Sequence, residues 1–227
     1  MYPDRERNRR FPRVGQNKPS RGVHQGLIGR KTDPVATIRA FATGPAQEFG
    51  LIEEEIPDQG IRLRSPDAAE GGAIWSVARD TGTLDLNSSY LYILLARDFA
   101  DTCVVAEQDG QLVGFVTGYR RPRQPEVLFL WQIGIHPDFQ GKGLGKRLVG
   151  AFLRQPGADR ASVLETTVSP DNASSRALFE SIARDLGTGC HVKPCFAAED
   201  FPEAGHEAED LFTIGPFRPA ALNRLVS

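Results

Sequence analysis

Residues Leu128–Gly150 read LFLWQIGIHPDFQGKGLGKRLVG. From Leu128 to Ile135, Phe129, Trp131, Ile133 and Ile135 alternate with Leu130, Gln132 and Gly134, which is strand composition. Pro137 and Asp138 end the strand. Gln140-Gly141-Lys142-Gly143-Leu144-Gly145 then opens a segment with Leu144, Leu148, Val149, Phe152 and Leu153 at helical spacing. A strand, a glycine turn and a helix in succession aim free backbone N–H groups at an anion. Glycine lets the backbone come close, because no Cβ intervenes. Two phosphate loops are excluded. A P-loop needs four residues between its first Gly and Gly-Lys-Ser/Thr, whereas Lys142 sits between two glycines. A dinucleotide fingerprint needs Gly-x-Gly-x-x-Gly, and this run is Gly-x-Gly-x-Gly. The bland alternative is a tight turn.

The 227-residue chain is long enough for one domain with a full core and an extension. Lys and Arg number 27 against 29 Asp and Glu, a formal charge of −2, so the chain as a whole is not a nucleic-acid binder by charge. No run of about 18 apolar residues marks a membrane span. The N-terminus MYPDRERNRRF has no apolar signal region. Cys103, Cys190 and Cys195 form neither a disulfide framework nor a zinc cluster, so the expectation is a reducing, cytoplasmic location and no metal.

Around the opening stretch the rest of the chain falls into order. Residues 1–60 are expected to form a basic, flexible extension, with Arg5, Arg7, Arg9, Arg10 and Arg13 near its start. The folded domain is expected over 61–227. Ile61–Arg64 alternates as a strand, and Ser65-Pro66-Asp67 reads as the start of a helix running to about Arg79. Asn87 or Ser88 caps a second helix with Tyr90, Leu91, Leu94 and Leu95 on its inner face. Asp101–Glu107 and Leu112–Tyr119 are strands joined by an Asp109-Gly110 hairpin turn, and Arg120–Pro125 is a loop. After the opening strand and helix come a strand over Ser162–Val168, a helix starting at Ser169-Pro170-Asp171-Asn172 and ending at Gly187, and strands at Cys190–Phe196 and Leu211–Ile214. The order β-α-α-β-β-β-α-β-α-β-β predicts an α/β (α+β) fold with a mixed central sheet flanked by helices.

Gln140, Gly143 and Gly145 fill the pattern Gln/Arg-x-x-Gly-x-Gly/Ala, and the segment resembles the pyrophosphate loop of the GNAT acyltransferase superfamily. The resemblance implies acetyl-CoA as co-substrate. It implies that Gln140, Gly141, Lys142, Gly143, Leu144, Gly145 and Lys146 hold the pyrophosphate, while the backbone of Ile133, Gly134 and Ile135 meets the pantetheine arm where two strands splay. Lys142 and Lys146 are otherwise solvated lysines. Asn172 stands where that family places an asparagine on the cofactor arm, and it also suits a helix cap. Phe179 stands where a thiolate-protonating Tyr is usual.

Five separated segments add a closer resemblance. LDLNSSYLYILLARDFADTCVVAE, VGFVTGY, LFLWQIGIHP, LETTVSPDNASSRALF and GHEAEDLFTIGPF are similar to the L-2,4-diaminobutyrate acetyltransferases of ectoine biosynthesis. This implies acetylation of a 4-amino group and a homodimer. Asp85, Glu165, Glu207 and Glu209 are candidate partners for the ammonium groups. Glu165 is the first candidate base, against a plain strand-surface carboxylate. Trp131 walls the pocket or sits in the core. Tyr90 and Tyr92 place hydroxyls at the pocket or are core. His206, three residues before Glu209, binds substrate or backs up the base, against a solvated loop.

Overall fold

The computed structural model describes residues 60–202 and 205–225. The expected extension over 1–60 therefore lies outside the described residues except for Gly60. The element order is β1 (Arg62–Arg64), α1 (Gly71–Thr81), α2 (Ser89–Asp98), β2 (Cys103–Gln108), β3 (Gln111–Arg121), β4 (Gln124–Ile135), α3 (Leu144–Phe152), β5 (Val163–Val168), α4 (Ala173–Leu186), β6 (Cys190–Phe196) and β7 (Glu209–Ile214). The expected succession of strands and helices is present throughout.

The strands form one seven-stranded mixed sheet in the order β1-β2-β3-β4-β5-β7-β6. β4 and β5 are parallel, joined by the crossover helix α3, and the other neighbours are antiparallel. The larger core lies under α3 and α4, where Leu128, Leu130, Leu148, Phe152, Phe179, Ile182 and Phe212 are buried. The smaller one lies under α1 and α2, built from Ile74, Val77, Tyr92, Ala96, Val105 and Phe115. Burying each such large apolar side chain stabilises the fold by roughly 1.5–3 kcal/mol.

Several local expectations are corrected. The first helix begins at Gly71, not at Ser65-Pro66-Asp67. Ser65 Oγ donates to Gln155 Oε1 at 2.7 Å and so does not cap the helix. Glu70 instead accepts from the Asp67 N–H and from Arg64, which also grips Glu107 and ties β1 to β2. The second helix buries Tyr92, Leu95 and Ala96, turned from the expected Tyr90 face. The 120–125 loop shrinks to a tight turn because β3 and β4 pair out to Arg121 and Gln124.

Two irregularities prepare the site. Thr117 pairs with Gln132 and Gly118 with Leu130, so Trp131 is an extra, unpaired residue that bulges β4. At that point a Cβ on Gly118 would lie 2.3 Å from the Phe129 carbonyl oxygen, so only glycine fits. Further along, β4 and β5 share only the rungs Val127–Val163, Leu128–Leu164 and Phe129–Glu165. Beyond them β4 continues to Ile135 and β5 to Val168 unpaired with each other, which opens a wedge between parallel strands.

Candidate active site

The wedge leads into a cleft of about 1410 Å³. One wall is the backbone of Ile133–Ile135, whose β5-facing groups have no strand to meet. The floor is the glycine turn. Gly141 and Gly143 have φ of 73° and 78°, a left-handed conformation that other residues adopt at a cost. Gly143 is the N-cap of α3. Lys146 N–H reaches back to the Gly143 carbonyl, while the N–H groups at the very start of the helix have no carbonyl within it to meet. They face the cleft with the positive end of the helix dipole behind them. Leu144 itself is buried in the core, so it anchors the turn and contributes only its N–H.

The side chains of the turn make contacts within the chain. Gln140 Nε2 donates to the Ile135 carbonyl at 3.0 Å and braces the turn against the strand end. Lys142 Nζ donates to the Asp138 carbonyl at 2.9 Å. Lys146 Nζ is 2.7 Å from Asp185 Oδ2, so that charge is largely compensated within the chain. Arg147, which the sequence reading passed over, also lines the cleft. On the opposite wall Asn172 Oδ1 caps α4, accepting from the Ser175 N–H and the Ser174 hydroxyl at 3.0 Å each. The cap leaves the Asn172 amide nitrogen to donate elsewhere in the cleft. Phe179 is buried against Phe212, with ring centroids 6.2 Å apart, and belongs to the core.

The far end of the cleft is acidic. It is lined by Asp85 before α2, by Asp171 before α4, and by His206, Glu207 and Glu209 at the start of β7. His206 stacks on Phe201 with centroids 3.5 Å apart. Its Nδ1 lies 2.7 Å from the Glu207 carbonyl, and its Nε2 lies 3.4 Å from Asp85 Oδ2. A carbonyl only accepts, so Nδ1 carries the proton and the neutral ring presents Nε2 as a base. The Glu207 carbonyl, then Asp85 and Glu209, raise the imidazole above its ordinary range. The Asp171 and Glu207 carboxyls interact, which holds Glu207 above and Asp171 below the ordinary carboxylate range.

Other candidates fall elsewhere. Glu165 is not among the residues lining this cleft. Its carboxylate is ion-paired 2.8 Å from Arg121 Nη2 and its Oε1 accepts from Thr213 Oγ1 at 3.1 Å, while the buried Oε2 makes no hydrogen bond among the described residues. This placement favours His206 over Glu165 as the base proposed below. Tyr90 is 68 % exposed and is not among the residues lining the cleft. Tyr92 is fully buried and donates to Gln132 Oε1 at 2.8 Å, so it supports the sheet side of the site rather than lining the cleft. Trp131, half-buried at the bulge, is likewise absent from the lining. Among the described residues no group of three or more His, Cys, Asp or Glu is placed to hold a metal ion.

A wedge between parallel strands, closed at its foot by a glycine-capped helix and at its mouth by acids, is the layout of an acyl-CoA-dependent amine acyltransferase. Residues 72–183 match the Acetyltransferase (GNAT) family. L-2,4-diaminobutyric acid acetyltransferase of Halalkalibacterium halodurans is 41 % identical over 162 residues, covering 71 % of this chain and 85 % of that protein. The Nocardia farcinica protein of the same name is 44 % identical over 154 residues, covering 68 % and 79 %. Among solved structures, the diaminobutyrate acetyltransferase of Paenibacillus lautus, in complex with its substrate L-2,4-diaminobutyric acid and coenzyme A, is 41 % identical with a TM-score of 0.68, covering 70 % of this chain and 97 % of that one. Ard1 from Thermoplasma volcanium shares the fold at 15 % identity and a TM-score of 0.59. The chain belongs to the GNAT acetyltransferases and, within them, to the L-2,4-diaminobutyric acid acetyltransferase family.

Proposed function

We infer that the protein transfers the acetyl group of acetyl-CoA to the 4-amino group of L-2,4-diaminobutyrate, giving N4-acetyl-L-2,4-diaminobutyrate for ectoine synthesis. The observation that carries this reading is the pairing of an anion-binding glycine turn with an acidic cleft mouth, in a chain 41 % identical to a diaminobutyrate acetyltransferase solved with substrate and coenzyme A.

The residues fit such a pair of ligands. The backbone N–H groups of the glycine turn bind the pyrophosphate, and Ile133–Ile135 pair with the pantetheine arm along the wedge. Asn172 completes that wall. Bound there, acetyl-CoA supplies the activated thioester. The N–H groups at the unpaired end of β4 stabilise negative charge on a carbonyl oxygen. Asp85, Asp171, Glu207 and Glu209 attract the two ammonium groups of the acceptor. His206 Nε2 takes the proton from the ammonium that is to react, while its Nδ1–H stays on the Glu207 carbonyl. The resulting imidazolium faces Asp85.

The test is an acceptor series with release of free thiol as readout. L-2,4-diaminobutyrate is expected to be turned over, and 1,3-diaminopropane, which lacks the carboxylate, to be a much poorer substrate. Equal turnover of the two would overturn the acceptor assignment and leave an N-acetyltransferase of polyamines. We also propose a cytoplasmic homodimer, as the family likeness suggests, and light scattering checks the dimer.

A further inference from the structure

Asp85 sits on the segment between α1 and α2, outside any helix or strand. That segment is fixed from the middle of the sheet. Gln132, on β4 beside the bulge at Trp131, is 8 % exposed, and its Nε2 donates to the Asp85 carbonyl at 2.9 Å. Its Oε1 accepts from the Tyr92 hydroxyl at 2.8 Å, and Tyr92 has no exposed surface. The orientation of the amide is therefore determined. Only its NH2 end can face a carbonyl, so its oxygen must face the hydroxyl. The same segment is held at two other points. Trp75 Nε1 donates to the Asn87 carbonyl at 3.2 Å, and Leu84 packs toward Gly134 and Phe115. Asn87 Nδ2 adds a local bond to the Asp85 carbonyl at 3.2 Å. Gln132 is the one of these contacts that joins the Asp85 backbone itself to the sheet.

We propose that Gln132 is a positioning residue for acceptor binding: braced by Tyr92, its amide holds the Asp85 backbone so that the Asp85 carboxylate meets His206 across the mouth of the cleft. Gln132 touches neither ligand. It sets where the carboxylate stands, 3.4 Å from His206 Nε2, by fixing the chain that bears it. A buried amide bonded on both sides is costly to leave half-satisfied, so the loop has one preferred seat. This inference rests on the acceptor reading above for its kinetic readout, but not for its spectroscopic one.

Two variants separate positioning from bulk stability. Gln132→Met removes both bonds. Gln132→Glu keeps an acceptor for the Tyr92 hydroxyl but turns a carboxylate oxygen toward the Asp85 carbonyl. Both are expected to raise KM for L-2,4-diaminobutyrate by about tenfold while KM for acetyl-CoA stays within about twofold. The buried carboxylate of Gln132→Glu is expected to cost the larger loss of thermal midpoint, so equal KM shifts in the two variants separate positioning from stability. In both, the His206 imidazole, followed by NMR titration of the full chain, is expected to titrate at lower pH than in the parent, because Asp85 has moved away. A parent-like His206 titration, or two KM values rising together in proportion to lost stability, overturns the proposal. If the parent does not acetylate diaminobutyrate at all, the acceptor reading fails, and the titration still decides the role of Gln132.

Discussion

Phe129 faces Glu165 across the last rung that β4 and β5 share, and from the next residue the two strands part. The rung marks the inner end of the cofactor wedge. It also fixes Glu165 on the sheet, where Arg121 and Thr213 engage it, rather than at the cleft mouth.

Glu165→Gln is therefore expected to change kcat by less than about tenfold, well short of the loss of a general base. It leaves the Arg121 guanidinium without its charged partner in a partly buried place. The expected cost, discounted for the partial exposure of Arg121, is about 1–3 kcal/mol. Thermal melting and steady-state kinetics on the same preparation check both halves. A drop in kcat of more than about a hundredfold with an unchanged melting temperature would restore Glu165 as the base.

His206→Gln is expected to lower kcat by roughly two to four orders of magnitude. The parent's acidic limb should lie above about pH 6.5, because the folded imidazole is raised and must be neutral to act. Asp85→Asn should move that limb to lower pH. The sign for stability is opposite to that for activity. A raised folded pKa means that the contacts of the imidazolium stabilise the fold below the unfolded pKa, and that this contribution disappears as pH rises through the folded value. Rate profiles and melting curves over the same pH range show whether the two trends run against each other.

Gly143→Asp is expected to raise KM for acetyl-CoA by at least about tenfold, with KM for the acceptor little changed. The residue needs φ of 78°, and a carboxylate there repels the pyrophosphate at the helix N-terminus. Equal affinity for coenzyme A in parent and variant, measured by calorimetry, would falsify the turn as the pyrophosphate site.

Phe179→Tyr restores the aromatic hydroxyl usual at this position in the wider superfamily, yet no gain in rate is expected. The ring is 1 % exposed and packs on Phe212, so the new hydroxyl has no evident partner. A destabilisation of about 1–3 kcal/mol is expected instead. A faster kcat in this variant would show that the ring reaches the cleft.

The legible parts of this fold were those written in short-range periodicity and punctuation. The strand, the glycine turn and the helix from Leu128 to Phe152 carry their own signals, and so do the Asp109-Gly110 turn and the Gly187 helix stop. The phase of α2 was not legible, because YLYILL is apolar on every side. The expected and observed faces share Leu95, and a part-turn of the helix about it exchanges Tyr90 for Tyr92 and Ala96. The partners of Glu165 were not legible, because only the register shows Arg121 and Thr213 beside it, and both are distant in sequence. Asp171 drew notice only as part of a helix start, although the fold sets it against Glu207. Gln132 gave no signal at all, since a lone Gln in an apolar strand says nothing of a loop almost fifty residues earlier, |i−j| = 47.

The glycine turn is tied into the core through Leu144, whereas His206 is held by a ring stack on Phe201 and by its neighbour's carbonyl. The two ligands are thus recognised by parts of the molecule with different tolerance for change. Altering the cofactor end disturbs the packing of a central helix. Residues 197–202 and 205–208, none of them buried, can be rewritten with little cost to the core. A lineage that kept its acyl donor was therefore free to exchange one amine for another by substitution at those positions, and a designer seeking a new acceptor should start there.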